Sequence, residues 1–268
     1  MPIVIESVGL TPTVEGWFTG RDLEREPRPL ASGGNLAHRR PHRPDDLAAD
    51  RAAVAAATGT DPSPWHLMQQ VHGARVGIIH ASTPAGAELR GVDALVTTQP
   101  DRPLGVLVAD CVPVLLASER AVGVVHAGRR GLVAGVVAAA LAALERLGIA
   151  GGELTAALGP AIGGCCYEVP AQLRDQVAER VGEVAATTTR EGTPALDLPA
   201  AVRAELVAAG VAVAPGPDGC TRCDQDGRWF SHRADPSTGR QLGLLVRRRE
   251  PMGARDDLAT DAVAVGRR

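Results

Sequence analysis

The sequence predicts an α+β fold in which mixed β-sheets carry helices packed on their outer faces. Short apolar or β-branched runs separated by turn residues fill the middle of the chain, as expected of strands. Ala-rich segments with helical spacing lie before, between and after these runs. Strands and helices do not alternate strictly, which argues against a doubly wound parallel sheet. We expect residues 1–268 to form a single catalytic domain, since this length can bury a full core.

The predicted elements follow the chain in a simple order. Residues 21–46 are rich in Arg, Pro and Gly and are expected to form a long loop. Helical spacing, in two cases closed by a glycine, predicts helices at 47–58, 131–147, 170–184 and 198–209. Apolar runs bounded by turn residues predict strands at 65–71, 74–80, 94–98, 104–109, 114–117, 121–126, 154–158, 211–213, 228–233 and 241–246.

The composition excludes several classes of chemistry. All 28 basic residues are Arg, because the chain contains no Lys. Schiff-base, pyridoxal-phosphate and Walker-type phosphate lysines are therefore ruled out, and a bound anion must be held by Arg, by backbone N–H groups or by a metal. The net charge of -3 gives no basic footprint for nucleic acid.

Apolar stretches and cysteine usage give expectations for the cellular location and the partners of the protein. No stretch approaches the ~18 consecutive apolar residues of a membrane span, and the amino terminus lacks signal-peptide features. Five cysteines, an odd number in a long chain, favour free thiols over a disulfide framework. We expect a cytoplasmic protein with small-molecule partners, a monomer or weak oligomer that binds neither membranes nor nucleic acid.

Three polar residues lie inside or at the end of apolar runs: His72 in QQVHG, Cys111 in VADCVP and His126 in VVHAGRRG. A polar residue in such a run is either a satisfied core residue or a ligand, and three of them together favour ligands. Two imidazoles and one thiolate are a zinc set that leaves the fourth tetrahedral position open, as in catalytic sites.

Strand pairing brings two of these residues together. The segment from Ser118 to Ala121 has the character of a tight reversal, which places Cys111 opposite Gly128 and makes His126 its diagonal neighbour, roughly 7–8 Å away. Pro113 is expected to disturb this ladder. The adjacent Asp110 is interpreted either as a simple turn carboxylate or as a group that orients a ligand imidazole.

A Gly-rich loop follows His126 and leads into a predicted helix. Such a loop presents free N–H groups to an anion, and Arg129 and Arg130 add two guanidinium groups. The loop therefore indicates a phosphate pocket beside the metal. An ordinary strand-to-helix turn with solvated arginines is the alternative.

The remaining four cysteines form two close pairs, Cys165–Cys166 and Cys220–Cys223. Adjacent cysteines do not easily ligate one metal together, and a zinc ribbon needs two CxxC pairs where this chain has one. We therefore predict that all four are structural thiols.

Taken together, these motifs resemble the YfiH family, described variously as laccase-like multicopper polyphenol oxidases, purine nucleoside phosphorylases and peptidoglycan editing factors. The matching stretches are GGNL (33–36), QQVHG (69–73), DALVTT (93–98), ADCVP (109–113), HAGRRG (126–131), LGPAIGGCCYEV (158–169) and the segment 220–243. The resemblance implies a zinc ion, one per chain, held by His72, Cys111 and His126. It also implies phosphorolysis of adenosine, inosine and S-methyl-5'-thioadenosine, together with adenosine deamination.

From this reading we expect catalytic roles for Cys111, Asp110 and Arg129. We expect substrate contacts from Asn35, Gln70, Arg130 and Arg233, and Arg40 is a further candidate for holding phosphate. Two positions depart from the family pattern, since Arg129 replaces its usual Trp and His232 its usual Tyr. Substrate preference is the property these changes put in doubt.

Three alternative functions remain open at this point. Two His and one Cys are also the equatorial ligands of a blue-copper site, so copper is a second candidate metal. A multicopper laccase, however, needs more than seven histidines, in closely spaced pairs, and no His-x-His occurs here. An amidase with Cys111 as nucleophile, editing cell-wall precursors, is chemically feasible. A non-catalytic binding protein is disfavoured because buried polar groups are costly.

Overall fold

The computed structural model describes residues 3–25, 33–217 and 219–249. Within these ranges the strands are β1 (Ile3–Thr11), β2 (Val14–Asp22), β3 (Leu67–Gln69), β4 (Val76–Ile78), β5 (Glu88–Arg90), β6 (Ala94–Thr97), β7 (Leu104–Val108), β8 (Val112–Ala117), β9 (Val122–Ala127), β10 (Thr155–Leu158), β11 (Ala186–Thr188), β12 (Pro194–Leu196), β13 (Ala212–Val213) and β14 (Gln241–Arg247). The α-helices are α1 (Pro44–Thr58), α2 (Arg129–Val133), α3 (Val136–Arg146), α4 (Ala171–Val181) and α5 (Leu198–Ala208). None of these helices is long and apolar enough to cross a membrane.

Two sheets pack face to face. A four-stranded antiparallel sheet has the order β1-β2-β14-β7, and a six-stranded mixed sheet has the order β13-β10-β8-β9-β6-β4. Phe18 and Leu245 of the first sheet and Leu95, Leu115 and Val124 of the second belong to one buried cluster between them. The six-stranded sheet contains two parallel pairs, β4 with β6 and β10 with β13.

Helices cover the outer faces of both sheets. Val137 of α3 and Val202 of α5 share a core with Val114 of the six-stranded sheet. On the other side, Val54 of α1 packs in a cluster with Trp17 and Leu244 of the four-stranded sheet. This arrangement confirms the predicted α+β class with helices outside mixed sheets.

Strands β8 and β9 are buried along their whole length because both faces of their sheet are covered. Their hairpin has the predicted register. The Ser118 N–H donates to the Ala121 carbonyl at 2.9 Å, and Val112 lies opposite Ala127. Pro113 occupies the ladder opposite His126 and does not disrupt it, contrary to expectation.

Several predicted boundaries were wrong. The 131–147 helix is divided into α2 and α3 at Gly135, whose φ of 82° lies in the left-handed region. The 170–184 helix ends at Val181, because Gly182 also has a positive φ, of 102°. The loop predicted for 21–46 is shorter than expected, because β2 extends into its beginning and α1 starts before its end. Residues 26–32 lie outside the described residues.

The largest errors concern the first two strands of the chain and the segment 228–233. Strands β1 and β2 were not predicted, yet each is nine residues long and they pair with each other in an antiparallel manner. The strand predicted at 228–233 is absent from the described structure. The backbone N–H groups there bond to side chains instead: Arg228 to Asp224, Phe230 to Gln241, and Arg233 to Asp110.

Candidate metal centre

The three predicted ligands converge. The donor atoms of His72, Cys111 and His126 all lie within 4.8 Å of one another. The Cys111 Sγ atom is 3.8 Å from Nε2 of His72, and the two imidazole rings meet edge to face with centroids 4.7 Å apart. The structure therefore brings together, from three separate segments, the set that the sequence predicted.

Each ligand is positioned by a different local feature. His126 lies in β9 and is buried, whereas Cys111 directly precedes β8. His72 lies in the turn after β3 with a φ of 60°, and Asp110 next to Cys111 has a φ of 84°. Left-handed backbone costs a non-glycine residue about 1–2 kcal/mol, so surrounding contacts must hold both turns in place.

Asp93 holds the His72 turn in place and also orients the His126 imidazole. Its buried carboxylate accepts backbone N–H bonds from His72 at 2.9 Å and Gly73 at 2.8 Å, with Val71 at 3.2 Å. Its Oδ1 also lies 2.8 Å from Nδ1 of His126. Nδ1 of His126 is therefore the donor to the carboxylate, which leaves Nε2 free to face a metal.

Sequence reasoning missed Asp93 and considered Asp110 for this orienting role. In the structure, the Asp110 carboxylate accepts a bond from the Thr221 hydroxyl at 2.6 Å and one from the Arg233 backbone N–H at 2.6 Å. Its own carbonyl accepts from the Ile162 N–H at 2.9 Å. Asp110 thus fastens the turn before Cys111 to two neighbouring loops. The signal for Asp93 was an acidic residue placed directly before the apolar run 94–96, which begins the fully buried strand β6.

The charges around Cys111 favour its thiolate form, which is the form that binds a metal. Burial raises the pKa of the Cys111 thiol, but the nearby His126 and His72 imidazoles outweigh burial and lower its pKa to about 6. Burial likewise lowers the pKa of His126, but the charges of Cys111 and Asp93 outweigh it and raise that pKa to about 9. The protein alone therefore favours a thiolate beside an imidazolium, and a cation at this position would replace the proton.

The space between the ligands fits an ion. A Cβ atom on Gly128 would lie 2.8 Å from Cδ2 of His72 and 2.9 Å from Sγ of Cys111, so only glycine leaves this concavity open. Two imidazoles and a thiolate suit zinc or copper, and a carboxylate on the outer imidazole nitrogen is usual for metal ligands. The donor set therefore fits a metal ion with one open position.

A cavity of about 530 Å³ opens beside the three ligands. Arginine dominates its polar lining, and Asp110 is the acidic residue there. The arginines that line it are Arg39, Arg40, Arg129, Arg130, Arg233 and Arg240. Such an excess of guanidinium groups favours an anionic ligand.

The arginines differ in how they are held. Arg40 and Arg240 donate to the same backbone carbonyl, that of Thr238, at 3.2 and 3.0 Å. Burial, and then the charge of Arg40, lower the pKa of Arg240. Neither guanidinium forms an ion pair among the described residues, so the two like charges are only partly compensated, by the more distant Asp110. An incoming anion would relieve that repulsion.

Tyr167 forms a further wall that sequence reasoning did not single out. The Arg233 guanidinium lies 5.0 Å from the centre of the Tyr167 ring and donates to the Glu168 carbonyl at 3.0 Å. Burial raises the pKa of Tyr167, whereas the adjacent Arg129 opposes this by charge and by a hydrogen bond. Arg129 and Arg130 make no ion pair within the described ranges, so both remain available to a ligand.

The other predicted substrate contacts divide into two groups. Gln70 lines the cavity, but both ends of its amide bond to the Leu107 backbone, at 2.8 and 3.1 Å. Asn35 is buried and lies outside the cavity lining. Its Oδ1 accepts from the N–H groups of Ala37 and Arg240 at 3.1 and 2.9 Å. Asn35 therefore joins two loops behind the cavity, and the substrate contact expected of it finds no support.

Comparison with known proteins agrees with this geometry. Residues 16–248 match the family model described as multi-copper polyphenol oxidoreductase laccase. A purine nucleoside phosphorylase of Streptomyces griseus is 45% identical over 206 residues, covering 75% of this chain and 82% of that protein. An adenosine deaminase of an unknown prokaryotic organism is 33% identical, covering 74% and 80%. The crystal structure of Bacillus licheniformis YfiH superposes with a TM-score of 0.76 at 28% identity, covering 88% and 93%. With its fold, its motifs and its relatives in agreement, this chain belongs to the YfiH family.

Proposed function

We propose that this protein is a zinc-dependent purine nucleoside phosphorylase acting on adenosine, inosine and S-methyl-5'-thioadenosine, and that it also deaminates adenosine. The observation that carries the proposal is the His72–Cys111–His126 centre, which opens into a cavity rimmed by six arginines. Relatives named for phosphorolysis and for adenosine deamination support both activities. The small-molecule partners are then a nucleoside and inorganic phosphate.

The number of histidines, and how few of them lie together, favour zinc over copper. The chain has seven histidines, and among the described residues two of them share one cluster of potential ligands. A laccase needs several copper ions and correspondingly more imidazoles. When bound, zinc would supply Lewis-acid polarisation of a substrate atom without redox chemistry.

Phosphate binding is assigned to Arg129 and Arg130. Both lie in the first turn of α2, directly after the His126 loop, and both line the cavity. Guanidinium groups bind phosphate oxygens in a bidentate manner. In phosphorolysis a phosphate oxygen bonds to C1' of the ribose while the bond from C1' to the purine nitrogen breaks, and the departing purine takes up a proton. Arg129 would neutralise the attacking phosphate, and Arg233 would close the pocket over Tyr167.

Asp110 contributes to this proposal by positioning. Its carboxylate fixes the main chain at Arg233 and the side chain of Thr221, and so sets the distance between the metal ligand Cys111 and the arginine wall. Gln70 acts similarly by fixing the His72 turn to β7.

A cysteine-dependent amidase is the second candidate, because one observation favours it. The Cys111 pKa of about 6 and the nearby Nε2 of His72, 3.8 Å away, are the features of an activated thiol nucleophile. In that case the Cys111 sulfur would bond to an amide carbonyl carbon of a cell-wall precursor as the C–N bond breaks and the amine leaves with a proton. Water would then hydrolyse the thioester to the acid and restore the thiol, and no phosphate would be consumed.

Product identification separates the two candidates. Zinc-loaded protein is incubated with adenosine, with and without phosphate, and with muropeptide precursors, and the products are identified by mass spectrometry. The proposal predicts adenine and ribose 1-phosphate only when phosphate is present, and inosine in its absence. Release of an amino acid from the precursors, with nucleosides untouched, would contradict it and favour the amidase.

A further inference from the structure

Four cysteine thiols converge at a second place in the molecule. Cys165 and Cys166 follow β10, whereas Cys220 and Cys223 lie between β13 and β14. All four Sγ atoms lie within 4.8 Å of one another, and the Cys165 Sγ is 3.8 Å from both the Cys166 and the Cys223 Sγ. Adjacent cysteines were expected not to ligate one metal easily, yet both thiols reach the same cluster here.

A tight turn allows the adjacent thiols to point the same way. The N–H groups of Cys166 and Tyr167 both donate to the Gly163 carbonyl at 3.0 Å. A parallel bridge pairs Ala161 with Cys220, and the Thr221 N–H donates to the Ala161 carbonyl at 3.0 Å. These bonds bring the CxxC turn over the Cys165–Cys166 turn.

The sulfur spacing matches a metal centre. Four thiolates at the Zn–S distance of ~2.3 Å form a tetrahedron with edges of about 3.8 Å. A disulfide would require about 2.05 Å, and all four cysteines are free thiols. Two of the sulfur separations, both 3.8 Å, therefore equal the tetrahedral edge.

The surroundings also favour a cation. Backbone N–H groups of Gly163, Arg222 and Cys223 point at the Cys220 sulfur. The Gly163 bond to the Cys220 sulfur is 3.2 Å long. Backbone N–H donors to sulfur favour the thiolate form, which is the form of cysteine that binds a metal.

We propose that Cys165, Cys166, Cys220 and Cys223 bind a second zinc ion through four thiolates. Such a site has no open position, so its role is structural. Tetrahedral four-sulfur sites select zinc or iron, and zinc forms them without redox cycling.

The position of this site explains what it stabilises. One loop carries Ile162 and Tyr167 of the cavity wall, and the other carries Thr221, which holds Asp110. The four sulfurs themselves do not line the cavity described above. The second ion would therefore join two loops of the active site without touching substrate, and its existence does not depend on which reaction is catalysed.

Metal analysis tests the proposal. The purified full-length protein should contain two zinc ions per chain. Cys166→Ser should lose one and keep the ion held by Cys111, whereas Cys111→Ala should lose the other, so each variant is the control for its partner. Cobalt-substituted Cys111→Ala should show the absorption of tetrahedral cobalt bound by four sulfurs. One zinc per chain, fully retained in Cys166→Ser, would overturn the proposal.

Thiol mapping on the unaltered protein covers the case in which Cys166→Ser fails to fold. Alkylation followed by peptide mass spectrometry should leave Cys165, Cys166, Cys220 and Cys223 unmodified in the metal-loaded protein. A strong chelator should expose all four. Fast modification of these thiols without metal release, or a disulfide among them in anaerobically purified protein, would refute the second site. Iron found there in place of zinc would refute the identity of the metal.

Discussion

The Asp93 carboxylate lies 2.8 Å from Nδ1 of His126, and it also accepts the backbone N–H bonds of the turn that carries His72. One buried side chain therefore orients one imidazole ligand and places another. The left-handed backbone at His72 is explained by the same contacts, because three successive N–H groups point at one acceptor. Removal of this carboxylate should disturb the metal centre more than removal of any other non-ligand.

We predict that Asp93→Asn weakens zinc binding by about 10- to 100-fold, the usual effect of losing a carboxylate behind a metal-bound imidazole. The amide can accept from His126, but its NH₂ group would face backbone N–H donors. Competition titration with a chromogenic chelator measures the affinity. Asp61→Asn is the control, because Asp61 also accepts a backbone N–H bond, from Ser63, but lies outside the cavity lining, so the affinity should not change. Equal effects in the two variants would refute the special role of Asp93.

We predict that Gly128→Ala disrupts the centre by sterics alone. Gly128 has a φ of -82°, which any residue adopts, but the new Cβ would collide with His72 and Cys111. Zinc at this site and nucleoside turnover should both be lost, while the melting temperature falls only slightly. Gly152→Ala is the control, because nothing lies within 4 Å of its added Cβ. Normal zinc content in Gly128→Ala would show that no metal ion occupies the space between the three ligands.

Zinc uptake should release protons in a pH-dependent way. With pKa values of about 6 for Cys111 and about 9 for His126, the metal-free site at pH 7.5 holds a thiolate and an imidazolium. Zinc needs a neutral imidazole, so about one proton leaves per ion. The count should fall towards zero above pH 9, where His126 has already lost its proton, and rise above one below pH 6, where the Cys111 thiol also carries a proton.

Calorimetry in buffers of different ionisation enthalpy gives this proton count. The Cys111→Ala variant is titrated in parallel and subtracted, so that protons released elsewhere cancel. A difference of zero at pH 7.5 would mean that the imidazolium is not present in the metal-free protein.

Arg129→Ala should weaken phosphate binding without loss of zinc. Losing a hydrogen bond to a charged group costs about 1.5–3 kcal/mol, so the KM for phosphate should rise roughly 10- to 100-fold. Arg174→Ala, on α4 and away from the cavity lining, is the control. An unchanged phosphate dependence in Arg129→Ala would place the phosphate elsewhere among the arginines.

The strongest sequence predictions rested on local signals. The β8–β9 hairpin was predictable because a short reversal at Ser118–Ala121 sets its register, and uniformly apolar strands identify a doubly covered sheet. The same register placed Cys111 near His126. Polar residues at the ends of such strands were therefore good candidates for ligands.

The missed features depend on contacts between distant segments. Asp93 meets residues 71–73 and β9 only after β4 and β6 pair, and no local pattern encodes that pairing. The four cysteines join through a bridge between Ala161 and Cys220, which lie far apart in the chain. Strand β1 carries Glu6 and Ser7 on partly exposed positions, so its apolar pattern is weak.

The most direct test of the central claim is the anomalous difference map of a crystal of the zinc-loaded protein. The account predicts a zinc peak about 2.3 Å from Sγ of Cys111 and about 2.0–2.1 Å from Nε2 of both His72 and His126, facing the arginine-lined cavity. A zinc-loaded crystal with no peak between these three side chains would contradict it.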